Sequence, residues 1–168
     1  MLDNLLRFIK IQKTPEVEVL VCIDSKESSI GAKRNKLLRE ATGKYVSFVD
    51  DDDMISPYYV SSILNAAKND ADCIGLKGII TLKNSIPKLF IHSVKYDSWF
   101  EKDDVYYRFP NHLNPIKREL ALDTMFPEIS NQEDRAFSYK IKSKLKTETF
   151  IDTPLYYYYP SSEHETTN

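Results

Sequence analysis

The sequence predicts an α/β fold with a largely parallel sheet, and three observations carry that expectation. Apolar runs of strand length alternate with amphipathic runs of helix length through the first half of the chain. Such alternation requires crossover connections, the hallmark of parallel pairing. The second apolar run ends in four consecutive aspartates, Asp50, Asp51, Asp52 and Asp53, at the strand end where open α/β sheets bind ligands.

Each element follows from local pattern. Leu2, Leu5, Leu6 and Ile9 share one face of a short helix over 2–11, and Val17 to Ile23 reads as a mostly buried strand. Ser28 or Ser29 caps a second helix whose buried stripe is Ile30, Leu37, Leu38 and Ala41, with Gly43 supplying a left-handed end. A strand from Tyr45 to Val49 follows. Ser56 and Pro57 open a third helix that turns Val60, Ile63, Leu64 and Ala67 inward.

The second half changes character. Residues 72–82 and 88–94 read as paired strands about Asn84-Ser85, and 96–104 reads as a polar loop placing Trp99 and Phe100 over a cleft. Asn114-Pro115 opens a short helix, Ser130 opens a longer one with Phe137, Ile141 and Leu145 inward, and two short strands flank Pro154 between Thr147 and Tyr159. One domain over 1–160 and a mobile tail over 161–168 are expected.

Bulk properties narrow the function. At 168 residues, a 42% hydrophobic content fills one core and leaves room for a cleft. With 23 basic and 25 acidic side chains the net charge is -2, so no chain-wide footprint points to nucleic acid or a membrane surface. A local basic group, Lys33, Arg34, Lys36, Arg39 and Lys44, suits a diphosphate, a nucleic-acid acceptor or a plain solvated helix face. Cys22 and Cys73 sit in apolar stretches and read as buried thiols, and no Cys or His spacing resembles a zinc site. No apolar run reaches the ~20 residues of a membrane span, and no signal-peptide segment opens the chain, so a cytoplasmic protein is expected.

The aspartate run carries the chemistry. Adjacent carboxylates repel unless a cation or hydrogen-bond donors offset the charge, and the hard ions Mg²⁺ and Mn²⁺ prefer carboxylate and phosphate oxygens. The plainer reading is a solvated acidic loop in which Asp53 or Ser56 caps the next helix.

The stretch Gly31-Ala32-Lys33-Arg34-Asn35-Lys36-Leu37-Leu38, followed by Ala41-Thr42-Gly43-Lys44-Tyr45 and the strand ending in Asp50 to Asp53, resembles the inverting family-two GT-A glycosyltransferases. Phe126 to Asp134 is similar to that family's F-x-x-x segment and E-D pair, and Thr153 to Tyr158 is similar to its P-L-x-Y-Y segment. The resemblance implies a GT-A-type, Rossmann-like three-layer sandwich with a mostly parallel central sheet. It further implies that Asp24, Arg34, Asn35, Asp50 and Asp51 bind a nucleotide sugar, a UDP-sugar first of all. Asp52, with Asp53 and His164, would hold Mn²⁺ or Mg²⁺, Asp134 with Glu133 would supply the catalytic base, and His112 and Trp99 would lie on the acceptor side.

Glu133 follows Ser130 by three residues, which equally makes a capping box, and that structural duty is preferred for it. His112 and His164 are also compatible with ordinary loop positions. Members of that family begin with a further strand ahead of the first helix, so the sheet reads as N-terminally shortened: the domain tolerates the loss, the start lies inside a longer reading frame, or another chain supplies the strand. A domain that begins at Met1 is expected to show an open groove or edge that invites dimerisation or aggregation. The functional expectation is metal-dependent transfer of a sugar, with inversion, from a nucleotide diphosphate to an unidentified acceptor hydroxyl. The alternative is a catalytically inactive GT-A-like binding or partner module. A phosphoryl-transfer enzyme is disfavoured because no glycine-rich phosphate loop accompanies the acids.

Overall fold

A computed structural model of the chain describes residues 2–23, 27–82 and 85–159. Asp24, Asn84, His164 and the tail over 161–168 lie outside the described residues. No helix among the described residues is long and apolar enough to cross a membrane.

Helix α1, Leu2–Gln12, buries Leu5, and its last residue fastens it to the next layer. The Gln12 amide donates to the Ser56 carbonyl at 2.9 Å and accepts from the Val60 N–H at 3.1 Å. Helix α2, Ile30–Glu40, is capped by Ser29, whose hydroxyl accepts from the Ala32 N–H at 3.2 Å. It ends at Ala41 in extended backbone, and no glycine among the described residues has a positive φ, so the left-handed Gly43 expected from the sequence is not formed. The Thr42 and Gly43 amides instead donate to the Glu18 carboxylate at 2.5 and 2.8 Å.

Residues 17–23 depart from the expected buried strand. They form no ladder, and Val19, Leu20, Val21 and Ile23 are exposed. Cys22 is half-buried, while Cys73 is fully buried as expected. A strand is a shared structure whose N–H and C=O groups need a neighbour, and apolar content alone supplies none. Tyr45 to Val49 likewise pairs only over β1, Tyr45–Val46.

The remaining elements are β2 Met54–Ile55, α3 Tyr59–Ala67, β3 Cys73–Ile80, β4 Lys88–His92, β5 Phe100–Lys102, β6 Val105–Arg108, β7 Ile116–Lys117, α4 Arg118–Leu122, α5 Glu133–Lys142 and β8 Glu148–Tyr158. The sheet runs β1-β7-β3-β4-β6-β5, with β8 paired to β2 and β3. Five of its seven pairings are antiparallel and two, β3 with β8 and β4 with β6, are parallel. The sheet is therefore mixed rather than mostly parallel, because 17–23 contributes no ladder and the second half pairs through hairpins.

Two local differences have clear causes. The expected loop over 96–104 contains β5 and turns into β6 at Asp103 and Asp104, both with positive φ, the backbone that closes two-residue hairpins. The expected pair of strands about Pro154 is one strand, β8, whose register against β3 shifts beside Pro154 and so accommodates the missing N–H.

Side chains alternate across β3, which places Cys73 in one apolar cluster and Leu76 and Ile80 in the other. Helices α1 and α3 pack with Leu76, Ile80, Phe90, Leu155 and Tyr156. Helices α2, α4 and α5 pack around Cys73, Ile116 and the stacked rings of Phe126 and Phe137, whose centroids are 4.0 Å apart. The helices thus cover both faces, a three-layer arrangement.

A cavity of about 1390 Å³ opens between α1, residues 17–23, α2 and the backbone of 45–52. Phe48 donates its N–H to the His112 carbonyl at 3.0 Å, toward the 110–114 segment. Among the described residues, no backbone hydrogen bond reaches 19–23. The cavity is therefore open along this segment.

The opposite side of α2 is tightly closed. Gly31 donates its N–H to the Ile129 carbonyl at 3.0 Å, and a Cβ at Gly31 would sit 1.8 Å from the Pro127 carbonyl oxygen. Gly31→Ala must therefore displace backbone, and it should cost about 1–3 kcal/mol, the usual scale for overpacking. Guanidinium unfolding will check this, and an unchanged midpoint would mean that 127–129 moves aside freely.

Candidate active site

The cleft continues from this groove to the carboxyl end of the 45–50 segment. That segment is held against residues 110–114 by the Phe48 amide and by the Ser47 hydroxyl, which donates to the Leu113 carbonyl at 2.9 Å. The clamp delivers Asp50 into the cleft beside Arg34 of α2.

Arg34 is the hub. It donates through Nη1 to Glu133 Oε1 at 2.5 Å and through Nη2 to Asp50 Oδ1 at 2.8 Å, and its guanidinium carbon lies 6.0 Å from the Phe48 ring centre and 5.6 Å from that of Phe126. Asp50 Oδ2 accepts from His112 Nε2 at 3.2 Å. Burial alone would raise the Asp50 carboxyl, but the charge and hydrogen bond of His112, then those of Arg34, outweigh it and hold the group well below the usual carboxylate range.

Glu133 does not form the expected capping box. The N-cap of α5 is Gln132, with φ 62° and no side-chain cap bond. A buried, charge-assisted bond to Arg34 wins over a bond to a neutral backbone amide. Asp134, the next residue, turns its carboxylate into the cleft, where Oδ1 accepts from the Arg135 N–H at 2.7 Å. Its Oδ2 lies 4.0 Å from His112 Nδ1, an atom with no hydrogen-bond partner. His112 is therefore wedged, 6% exposed, between Asp50 and Asp134.

The aspartate run divides. Asp51 and Asp52 line the cleft. Asp53 is fully buried, with Oδ2 accepting from the Tyr156 hydroxyl at 2.6 Å and Oδ1 from the Tyr159 N–H at 2.8 Å. The Tyr156 oxygen also accepts from the Asp50 N–H at 3.1 Å. Both Asp53 oxygens are thus committed to β8 and the residue after it, a different duty from the metal ligation expected. Asn35 also departs from its expected nucleotide role. Its amide is spent on the Phe126 backbone, donating to the carbonyl at 2.9 Å and accepting from the N–H at 2.8 Å.

Trp99 borders the cleft, and its Nε1 is buried without a hydrogen-bond partner among the described residues. Several residues around the cleft were not foreseen as site residues. Asn114 organises the 111–114 turn, accepting from the Asn111 N–H and from His92 Nδ1, both at 3.1 Å, while donating to the Ile74 carbonyl at 3.0 Å. Arg108 and His92 line the cleft. Their only signal was strand alternation in 88–92 and 105–108, which places His92 opposite Arg108 once the register is known.

Among the described residues, no three His, Cys, Asp or Glu side chains converge to hold a metal ion. The hard carboxylate donors at Asp51 and Asp52 fit instead a cation shared with substrate phosphates, the usual Mg²⁺ arrangement of one or two carboxylates plus phosphate oxygens.

Comparison with known proteins bears on the fold and the family. Residues 3–81 match the sequence profile of Glycosyl transferase family 2. A putative glycosyltransferase, EpsH of Bacillus subtilis (strain 168), is 24% identical over 156 residues, covering 81% of this chain and 43% of that protein. The crystal structure of S. aureus TarS 1–349 in complex with UDP-GlcNAc superposes with a TM-score of 0.63 at 18% identity, covering 95% of this chain and 47% of that one. The same protein in complex with UDP gives 0.59 at 23%, covering 80% and 41%. The chain thus resembles Glycosyl transferase family 2 over residues 3–81 and shares the fold of these neighbours, and it spans less than half the length of the proteins it matches.

Asp53 offers a test of the acidic loop. Burial pushes its carboxyl up to about 7, against the hydrogen bonds from Tyr156 and Tyr159 and with the charges of Asp50 and Asp52 adding to the rise. A raised folded-state pKa means that the folded form binds the extra proton, so this stabilisation is complete below about pH 4 and lost as pH rises through about 7. Asp53→Asn should remove that decline and match or exceed the parent in stability at pH 8. Urea unfolding between pH 4 and 8 in chelator-treated buffer measures it, and parallel curves for the two proteins would refute the assignment.

Proposed function

We propose that the chain is a glycosyltransferase that moves a sugar from a nucleotide diphosphate donor, a UDP-sugar, to an acceptor hydroxyl with inversion. The observation that carries this reading is the convergence of Asp50, Asp52 and Asp134 on one cleft, with His112 between the first and last. The family-two match and the likeness to a fold solved with UDP and UDP-GlcNAc support a nucleotide-sugar donor.

In this reading Asp134 accepts the acceptor's hydroxyl proton as that oxygen bonds to the anomeric carbon. The bond from that carbon to the diphosphate breaks on the opposite side, and its electron pair leaves with the diphosphate. Mn²⁺ or Mg²⁺, held by Asp52 with Asp51 nearby, would supply charge neutralisation for the leaving diphosphate. Arg34 keeps Asp50 ionised and anchors Glu133, which fixes the adjacent Asp134.

Two variants test the roles. Asp52→Asn should abolish the Mn²⁺-dependent part of UDP binding by calorimetry while leaving the fold intact, and unchanged metal dependence would remove Asp52 from the site. Asp134→Asn should lower single-turnover transfer by roughly 10²–10⁴-fold with donor affinity little changed, the scale expected for losing a positioned base. A near-normal rate would move the base elsewhere.

The open groove beside 17–23 favours a second reading, a GT-A-like module that binds without turnover. Absence of any metal-dependent nucleotide binding in the parent protein would favour it.

A further inference from the structure

The cleft holds more cationic and unpartnered polar groups than the donor machinery uses. The Arg108 guanidinium carbon lies 4.9 Å from the Trp99 ring centre and 5.7 Å from that of Tyr106, and the Arg135 guanidinium carbon lies 5.9 Å from the Trp99 ring centre. Neither guanidinium pairs with a carboxylate among the described residues, in contrast to Arg34, which is shared by two. Ring stacking of this kind leaves the N–H edges of a guanidinium available to an oxyanion.

Buried polar atoms in the same corner also lack partners. Trp99 Nε1 is a donor with nothing to bond. His92, 1% exposed and in register with Arg108, gives its Nδ1–H to Asn114 Oδ1, which leaves Nε2 as an unpartnered acceptor at the cleft wall. Burial, and then the nearby Arg108 charge, lower this ring to about 3, so it stays neutral and keeps that lone pair. One unfilled donor, one unfilled acceptor and two cations without an ion-pair contact, Arg108 feeling the Asp134 charge only at longer range, match a ligand that has hydroxyls and a negative charge.

We propose that Arg108, Arg135, Trp99 and His92 form an acceptor subsite for a sugar or polyol bearing an oxyanion, either a phosphate or a carboxylate. The acceptor role rests on the glycosyl-transfer reading above. The physical need is plain: Asp50, Asp51, Asp52, Glu133 and Asp134 line the same cleft, and an anionic acceptor enters it only if cations offset their repulsion.

Trp99 is the sole tryptophan of the chain, so intrinsic fluorescence reports on this subsite directly. The full chain is titrated at constant ionic strength with glucose, glucuronate and glucose 6-phosphate, which differ only at one carbon, with and without saturating UDP and Mn²⁺. At least one anion should quench or shift the emission at concentrations where glucose has no effect, and the stronger of the two identifies the oxyanion. Arg108→Gln should weaken that response about tenfold or more, the scale of one lost charge-assisted hydrogen bond. Arg108→Lys should restore part of it, and UDP affinity by calorimetry should be unchanged in both. If Arg108→Gln fails to fold, Arg135→Gln, at an exposed position, carries the same test. Equal responses to glucose and the anions would overturn the subsite. Displacement of the anion by UDP would reassign Arg108 to the donor diphosphate and overturn the acceptor role, while leaving glycosyl transfer standing. Failure of the parent to bind UDP would remove glycosyl transfer itself, and the acceptor role with it, whatever the anions do.

Discussion

The site depends on one guanidinium shared by two carboxylates. Arg34 is 8% exposed and joins α2, the strand-end aspartate Asp50 and the first residue of α5. Removing one member of such a buried set leaves a charge unpaired, at about 3–5 kcal/mol, so the three elements are locked as a unit. Asp50 in turn orients His112. Glu133 fixes the start of α5 and so the direction of Asp134. Gly31 makes the arrangement geometrically feasible, because only a residue without a Cβ lets α2 lie against 127–129 closely enough for Arg34 to reach Glu133.

The acidic run shows how one composition serves two purposes. Asp51 and Asp52 stay on the cleft side. Asp53 turns inward, and its environment favours the protonated form in neutral and acid conditions. Like charges at adjacent positions are tolerated because one of them is neutralised by burial and another, Asp50, by Arg34 and His112. The apparent cost of four neighbouring carboxylates is thereby largely dispersed before any metal is considered.

Much of this was legible in the sequence, and the exceptions share a cause. The helical stripes of α1 and α2 and the hairpin partners β3 and β4 follow from local periodicity. The run Asp50 to Asp53 and the Glu133-Asp134 pair stood out as chemistry, and all of them but the inward-turned Asp53 line one cleft. Which aspartate faces which way was not legible, because it is decided by Tyr156, 103 residues along the chain from Asp53. Glu133 was assigned to a cap three residues away, whereas its partner is Arg34, 99 residues distant. The segment 17–23 has the composition of a strand but no neighbour to pair with, and pairing is a property of the sheet rather than of the segment.

The Tyr156 hydroxyl, which gives its proton to Asp53 and receives the Asp50 N–H, ties the acidic loop to the final strand. Its consequence is temporal. The loop between β1 and β2 has little local structure of its own, and its orienting partner arrives only when β8 has docked beside β3 and β2, the latter the pairing of widest separation in the sheet. Closing so long a loop is entropically slow, and contacts of this span form late in folding. The acids at the centre of the cleft therefore take up their final spacing among the last events of folding, as Leu155 and Tyr156 of β8 complete the apolar cluster on their side of β3.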